Sequence, residues 1–443
     1  ISGGMVHPYL RARERSARGE PITYERSSRE RGPKPRLQQA LERTLGVPIF
    51  QEQVMEISMI AAGFTATQAD SLRRAMAAWT RKGKVHDFHQ QLVGGMLANG
   101  YSEEFAQRIF KQIEGFGEYG FPESHAYSFA LLAYKSSWLK CHEPECFLAA
   151  MLNSQPMGFY AASQLVQDAQ RNAGVRVLPA DVSHSDWDAS LESEPSGSDS
   201  SARPLVRLGL RQVGGLAEDS GKRIAVARMQ APFHDVDDLV RRAGLGVKDI
   251  NALAAADALR SLAGHRRQQA WEAAAQRRAP ALLEGAPIDE DPLALPAAPE
   301  GEEILFDYRS LGLSLRRHPL ALLRERLQRR RVLTAAQLDA LPDGRHVIAC
   351  GIVTVRQRPG TAKGTMFVTM EDETGPINVI VWPAVLEAQR DALLRSGLLA
   401  VEGRWQRDTA TGGLVRHLVA ETCTDLTRLL GRLGGRSASR DFH

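Results

Sequence analysis

The stretch from Gly115 to Lys140, GFGEYGFPESHAYSFALLAYKSSWLK, constrains the fold of this chain more than any other. Gly115, Gly117 and Gly120 are interleaved with Phe116, Tyr119 and Phe121. Glycine permits positive φ and close backbone approach, so the segment reads as a bent, packed surface loop. Pro122, Glu123 and Ser124 predict a helix start, Pro being favoured in the first turn and Ser as a cap. From His125 to Lys140 the pattern is helical and nearly apolar, with Leu131, Leu132, Tyr134, Trp138 and Leu139, and it predicts a buried helix. Ser124 and His125 then stand at its positive end, where anions are favoured. Taken alone, the motif fits a structural cap or a phosphate site.

A chain of 443 residues, 43% hydrophobic, has material for two to four domains. Its net charge of +4 permits a nucleic-acid partner without requiring one. Cys141, Cys146, Cys350 and Cys423 are too few and too scattered for a disulfide framework. Cys141-His142 with Cys146 lacks a second ligand pair at zinc spacing, so no metal site is expected. With no apolar run long enough to span a bilayer and no leader pattern, a soluble, cytoplasmic protein is expected. The opening ISGGMVHPYL reads as the interior of a domain, so a preceding segment is expected.

Residues 1–45 are basic and broken by Pro8, Pro21, Pro33 and Pro35. Val54, Ile57, Met59, Ile60 and Ala61 then carry helical spacing, Gly63-Phe64-Thr65 ends that helix, and Thr67 to Asp70 open a second. Arg73 and Arg74 lie on the second helix, with Arg81, Lys82 and Lys84 close behind. Such a cluster suits a triphosphate or a nucleic-acid backbone, and equally a solvated helix face. A third amphipathic helix spans 102–113.

The segments GVPIFQEQVM (46–55), DSLRRAM (70–76), 115–140 and LNSQPMGFYAASQLVQDA (152–169) resemble the bacterial C-family DNA polymerases, and within them the DnaE-like error-prone branch. The resemblance implies the end of a palm followed by fingers. It implies that Arg73, Arg74, Lys82 and Lys84 face the triphosphate of an incoming dNTP. Ser124 and His125 would stand near its sugar, where His125 would help exclude a ribose 2′-OH. Gln51, Glu52 and Gln53 match a fingers motif whose contacts stay unassigned. Two departures thin the cations: Ala77-Ala78-Trp79 replaces a Gly-Lys-Lys-like run, and Pro122-Glu123 replaces Asn-Lys.

Two-metal nucleotidyl transfer needs converging carboxylates for Mg²⁺, which the resemblance places before Ile1. Asp235-Val-Asp237 falls in a loop-helix region and Asp289-Glu-Asp291 in a Pro-rich linker, so no catalytic residue is expected within the chain. The polar run SEPSGSDSSA (193–202) reads as a disordered or hairpin insertion. LGLRQVGGLAEDSGKRIAVAR (208–228) reads as helix, Gly-Gly hairpin, helix, and resembles a helix-hairpin-helix DNA grip with Gly214, Gly215 and Lys222 on a phosphate. A second helical unit at 233–271 ends in His265, Arg266 and Arg267, either a DNA contact or a basic surface over packed helices. ALLEGAPI (281–288) lacks the Gln and aromatic of a clamp-binding peptide, so direct sliding-clamp binding is expected to be weak or absent, with recruitment through an accessory mutasome-type protein.

The tail is β-patterned: three strands, a helix and two strands give the order of an OB-fold. Such barrels stack single-stranded bases on aromatics in a basic groove. The candidates are Arg356, Arg358, Phe367, Trp382, Arg404 and Trp405, each aromatic serving equally well as barrel core.

The expected fold is multidomain α+β, mostly helical fingers and helix-hairpin-helix region before a C-terminal OB-fold barrel. The divisions are 1–45 (end of palm), 46–170 (fingers), 171–276 (helix-hairpin-helix region), 277–345 (linker and helical connection), 346–425 (OB-fold) and 426–443 (tail). The resemblance implies the C-terminal part of an error-prone, DNA-directed DNA polymerase in damage-induced synthesis, binding dNTPs, primer-template DNA and single-stranded template. The rival is a non-catalytic nucleic-acid-binding protein built from the same modules.

Overall fold

The computed structural model describes residues 6–76, 85–114, 122–158, 160–193, 203–276, 293–408, 413–433 and 440–442. It divides into two compact units, Ile1–Trp138 and Leu139–His443.

The first unit is helical: α1 (Val6–Ala17), α2 (Arg36–Leu41), α3 (Gln51–Ala62), α4 (Ala66–Met76), α5 (Val85–Ala98), α6 (Glu103–Glu114) and α7 (Glu123–His142), which runs past its end. The buried Gln53 side chain starts α3. Its Oε1 accepts from the Ile49 and Phe50 amides at 2.9 and 3.1 Å, and its Nε2 donates to Ala40 O at 2.9 Å and Thr44 Oγ1 at 2.7 Å. A buried carboxamide so fully satisfied costs little to desolvate. Gly63, at φ 75°, ends α3. Val54, Ile57, Leu72, Met76, Leu92, Met96 and Ile113 pack into the core between α3, α4, α5 and α6.

In the second unit α8 (Pro144–Asn153) and α9 (Ala162–Ala173) precede a three-stranded sheet of β1 (Val177–Leu178), β2 (Ser190–Glu192) and β3 (Leu205–Arg207), in order β1–β3–β2. β2 and β3 pair antiparallel from Ser190↔Arg207 to Glu192↔Leu205, so the run 193–202 links a hairpin; its residues 194–202 lie outside the described set. The helix read from Leu208 to the Gly214-Gly215 turn is instead one 3-10 turn at Leu210–Gln212. Arg207 holds the strand: its guanidinium clasps Glu192 at 2.8 Å and donates to Pro179 O at 3.0 Å. Then come α10 (Glu218–Gln230), α11 (Val236–Ala243), α12 (Val247–Ala255), α13 (Arg260–Ala263), α14 (Arg266–Ala275), α15 (Glu300–Ser310), α16 (Pro319–Gln328) and α17 (Ala335–Asp339).

The barrel consists of β4 (His346–Gln357), β5 (Met366–Glu371), β6 (Pro376–Val381), two short helices α18 (Pro383–Ala388) and α19 (Arg390–Arg395), β7 (Leu398–Arg407) and β8 (Arg416–Asp425). The circuit β5–β6–β8–β7–β4 closes through β4–β5, and β9 (Arg440–Phe442) adds to β4 in parallel. Closure needs one long strand to serve two neighbours. β4 pairs with β7 from His346 to Ile352 and with β5 from Ile352 to Gln357. At the crossing a Cβ on Gly351 would meet Glu371 N at 2.8 Å, so only glycine lets the strands approach there.

His318 caps α16, its Nδ1 accepting from the Leu320 amide at 3.2 Å. Burial pushes its imidazole down to about 4, against the opposing pull of Glu373. Its folded pKa lies below the unfolded value, so this contribution is full above pH 6.5 and is lost as pH falls toward 4. At 1.36 kcal/mol per unit the loss reaches about 3 kcal/mol. Urea midpoints across this window should fall in the wild type and fall less in His318→Asn, which keeps a capping acceptor but cannot titrate; parallel curves would refute the assignment.

Candidate nucleotide and nucleic-acid interfaces

α4 carries Arg73 and Arg74 one turn beyond Asp70, and both turn back to it, at 2.8 and 3.0 Å. The two share a single carboxylate and stay solvent-accessible, so one positive charge remains uncompensated on this face. Lys82 and Lys84 lie outside the described residues, as does the glycine-aromatic loop at 115–121.

α7 starts at Glu123, so Ser124 and His125 occupy its first turn, and His125 stacks obliquely on Phe129 at 4.4 Å between centroids. The first amide of that turn is occupied: Glu123 N donates to Glu52 Oε2 at 2.8 Å, and the Glu123 carboxylate pairs with Arg43. Part of the positive helix end read as a phosphate site is therefore filled by a carboxylate of α3. Glu52 and Arg43 are the contacts that sequence reading missed; Glu52 stood in the unassigned motif, and Arg43 gave no signal. The expectation that α7 is buried is overturned. Tyr127, Phe129, Leu131, Leu132, Tyr134, Trp138 and Leu139 are all exposed, and no residue of the helix is buried. Its apolar side chains occupy every face, leaving no stripe by which a surface helix would seat itself.

In the helix-hairpin-helix region the Gly214 amide donates to Ser310 O at 2.6 Å, so it is not available to a phosphate. Gly215, at φ 88°, is open to solvent, and Lys222 is exposed while pairing with Glu218 at 2.7 Å. Arg266 is a correction. Its guanidinium is 5% exposed and bridges Glu303 at 2.6 Å and Asp307, so it holds α14 to α15 and cannot reach DNA. Arg267 beside it faces solvent and pairs with Glu302 at 2.9 Å.

On the barrel two candidates fall inside. Trp405 is 3% exposed in the barrel core. Arg356 is buried and donates to Leu393 O at 2.7 Å and Ser396 O at 2.5 Å, tying β4 to the end of α19. Phe367 and Trp382 stay outside, 38% and 52% exposed. Phe367 pairs with Ile380, and Trp382 follows Val381, so alternation places both aromatics on one outer face at one end of the β5–β6 hairpin. Arg358 and Lys363 lie in the β4–β5 connection at that same end. Arg404 is exposed but pairs with His346, at the opposite end of β4. The structure thus gathers Arg358, Phe367 and Trp382 and leaves Arg404 apart.

Among the described residues no group of three or more His, Cys, Asp or Glu side chains is placed to hold a metal ion. Asp235 accepts the Asp238 amide at 2.8 Å as the cap of α11, and Asp237 accepts from Gln276. Asp289 and Asp291 lie outside the described residues. The described carboxylates do not fit a two-metal centre. Among the described residues no helix is long and apolar enough to cross a membrane.

Comparison with known proteins matches this arrangement in order. The family model of the bacterial DNA polymerase III alpha subunit finger domain matches residues 1–100, the helix-hairpin-helix motif 174–269, and the OB-fold nucleic acid binding domain 341–426. The chain is 60% identical over its whole length to a protein named error-prone DNA polymerase from Bordetella bronchiseptica, covering 41% of that relative. It is 56% identical to one so named from Burkholderia pseudomallei, covering 40%, and 53% identical to one from Alkalilimnicola ehrlichii, covering 41%. Along its whole length the chain is similar to one segment of these proteins named error-prone DNA polymerase. It spans about two-fifths of the length of these relatives.

The two barrel tryptophans separate by burial. Trp405→Ala should cost about 3–5 kcal/mol by leaving a core cavity. Trp382→Ala should leave stability within about 0.5 kcal/mol. Chemical denaturation of both variants checks this, and equal losses would place Trp382 in the core.

Proposed function

We propose that this chain is the nucleotide- and DNA-holding part of a DNA-directed DNA polymerase that acts, in the cytoplasm, in error-prone, damage-induced synthesis. The observation that carries the reading is unbroken similarity, at 53–60% identity over the whole chain, to proteins named error-prone DNA polymerase. In this reading Arg73 and Arg74, with Lys82 and Lys84, receive the triphosphate of an incoming dNTP, displacing Asp70 from the two arginines. Ser124 and His125 stand by its sugar. Gly215, Lys222 and Arg267 contact the primer-template backbone, and Arg358, Phe367, Trp382 and Arg404 take single-stranded template, the aromatics stacking on bases. The carboxylates that bind Mg²⁺ come from the share of the polypeptide that the relatives have beyond the matched part. The apolar helix α7 is covered by that same share.

Primer extension by the full-length polypeptide tests the reading. Arg73→Ala and Arg74→Ala should each raise KM for dNTP by roughly 10-fold or more, the scale of one charge-assisted hydrogen bond, with DNA affinity unchanged. Unaltered KM in both variants would refute the assignment, and no extension by the wild type would refute the polymerase reading. Recruitment is proposed to run through an accessory protein, since residues 281–288 lack a Gln and an aromatic. A pull-down should therefore retain little sliding clamp, and tight clamp capture would overturn this part.

A further inference from the structure

A basic cleft in the first unit has no place in the assignments above. A cavity of about 570 Å³ is lined by Arg29, Arg31, Lys34 and Arg36 on one side and by Met59 and Ile60 of α3 on another. Arg29, Arg31 and Lys34 fall within one short loop and Arg36 opens the helix α2 that follows it, and all four are exposed. Among the described residues none of them is held in an ion pair, unlike Arg73 and Arg74. Glu30, the carboxylate between them, lines the same cavity beside Tyr101, with both oxygens engaged: Oε1 accepts from Tyr101 Oη at 2.9 Å and Oε2 from the Arg36 amide at 3.2 Å.

The loop is held in place by its own backbone. Arg26 donates to Gly32 O at 2.5 Å and Pro33 O at 3.0 Å, curling the segment. Ser27 Oγ donates to Asn99 O at 2.5 Å, and Ser28 N to Gly100 O at 2.9 Å. Gly100 has φ 85°, and a Cβ there would meet Ser28 Oγ at 2.4 Å, so the seat requires glycine. A preorganised row of unpaired cations loses little entropy on meeting an anion and gains from counterion release. Four charges exceed what one phosphate needs, and the apolar wall of Met59 and Ile60 suits sugar and base edges.

We propose that this cleft binds the phosphodiester backbone of a single DNA strand, with Arg29, Arg31, Lys34 and Arg36 as phosphate contacts. The inference rests on the nucleic-acid reading above and adds a site to it. The test is fluorescence anisotropy of a labelled single-stranded oligonucleotide with the 443-residue chain across a salt series, comparing wild type with the quadruple Arg29→Ala, Arg31→Ala, Lys34→Ala, Arg36→Ala variant. Circular dichroism checks that the variant folds; a quadruple Gln variant replaces it otherwise. Single-strand binding changes by about 0.7 in log–log salt slope per phosphate neutralised, so the slope should fall by about 2 to 3. Trp382→Ala, a stacking change, should weaken binding with the slope intact. An unchanged slope in a chain that binds DNA overturns the cleft and leaves the wider reading standing. Absence of wild-type binding overturns both. Loss of inorganic tripolyphosphate binding with oligonucleotide slope unchanged also overturns the proposal, marking a nucleotide site instead.

Discussion

A buried ionic cluster sets the geometry of the second unit's helical part. Arg266 bridges Glu303 and Asp307, and Arg316 reaches Asp257 at 2.8 Å, Asp307 at 3.0 Å and Glu303 at 3.1 Å. Charges taken from water are tolerated only when each meets opposite charge in good geometry. Two guanidinium groups among three carboxylates meet that condition and lock α14, α15 and the segment after α15 together. Glu303 shows the strain of this placement: burial raises its carboxyl above the usual range, against the pull of Arg266 and Arg316. The cluster also sets the Gly-Gly turn. Gly214 donates to Ser310 O and Gln212 to Leu311 O at 2.7 Å, both at the end of the helix that carries Glu303 and Asp307. A change at 303 or 307 is therefore felt at the exposed turn around Gly215.

The same cluster explains why Arg266 could not be placed from sequence. It stands next to Arg267, in a motif that reads as basic surface, and its partners come some forty residues later, beyond a Pro-rich stretch. Only tertiary structure brings them together. The barrel was more legible, because strand alternation is a two-residue signal that short windows retain. Trp405 shares parity with Leu399 and Val401, both buried, and that alternation could have placed it in the core. Arg356 was not recoverable in this way. A bulge between Val353 and Val355 shifts the register, so counting from Val353 assigns Arg356 to the wrong face.

For α7 the sequence predicted the secondary structure and missed the environment. The run from His125 to Lys140 is helical, and its apolar content on every face argues for burial, yet its aromatic side chains stand exposed. Pattern reads what a segment needs; it does not say whether the covering surface belongs to the same stretch of chain. The clasp at its start is local and specific. Glu123, standing where the replicative pattern implies a lysine, draws Arg43 and leaves its amide to Glu52. A lysine there would face Arg43 with like charge, so the departure changes both the charge at the start of α7 and the way the helix is anchored.

The two basic surfaces of the first unit differ in how their charge is stored. Arg73 and Arg74 share Asp70, so an arriving phosphate must compete with a carboxylate already in contact. Such competition lowers affinity and makes occupancy sensitive to how many oxygens the ligand presents. Among the described residues Arg29, Arg31, Lys34 and Arg36 hold no carboxylate in an ion pair; Glu30, which lines the same cleft, is engaged by the Tyr101 hydroxyl and the Arg36 amide. Their attraction for an anion is limited by solvent, salt and the Glu30 charge, roughly 1 kcal/mol per contact at the surface. A site of that kind holds a long polyanion by number of contacts and lets it slide, because no single contact is strong. The two surfaces therefore differ in whether a carboxylate must be displaced before an anion binds, a difference that follows from where Asp70 and Glu30 point.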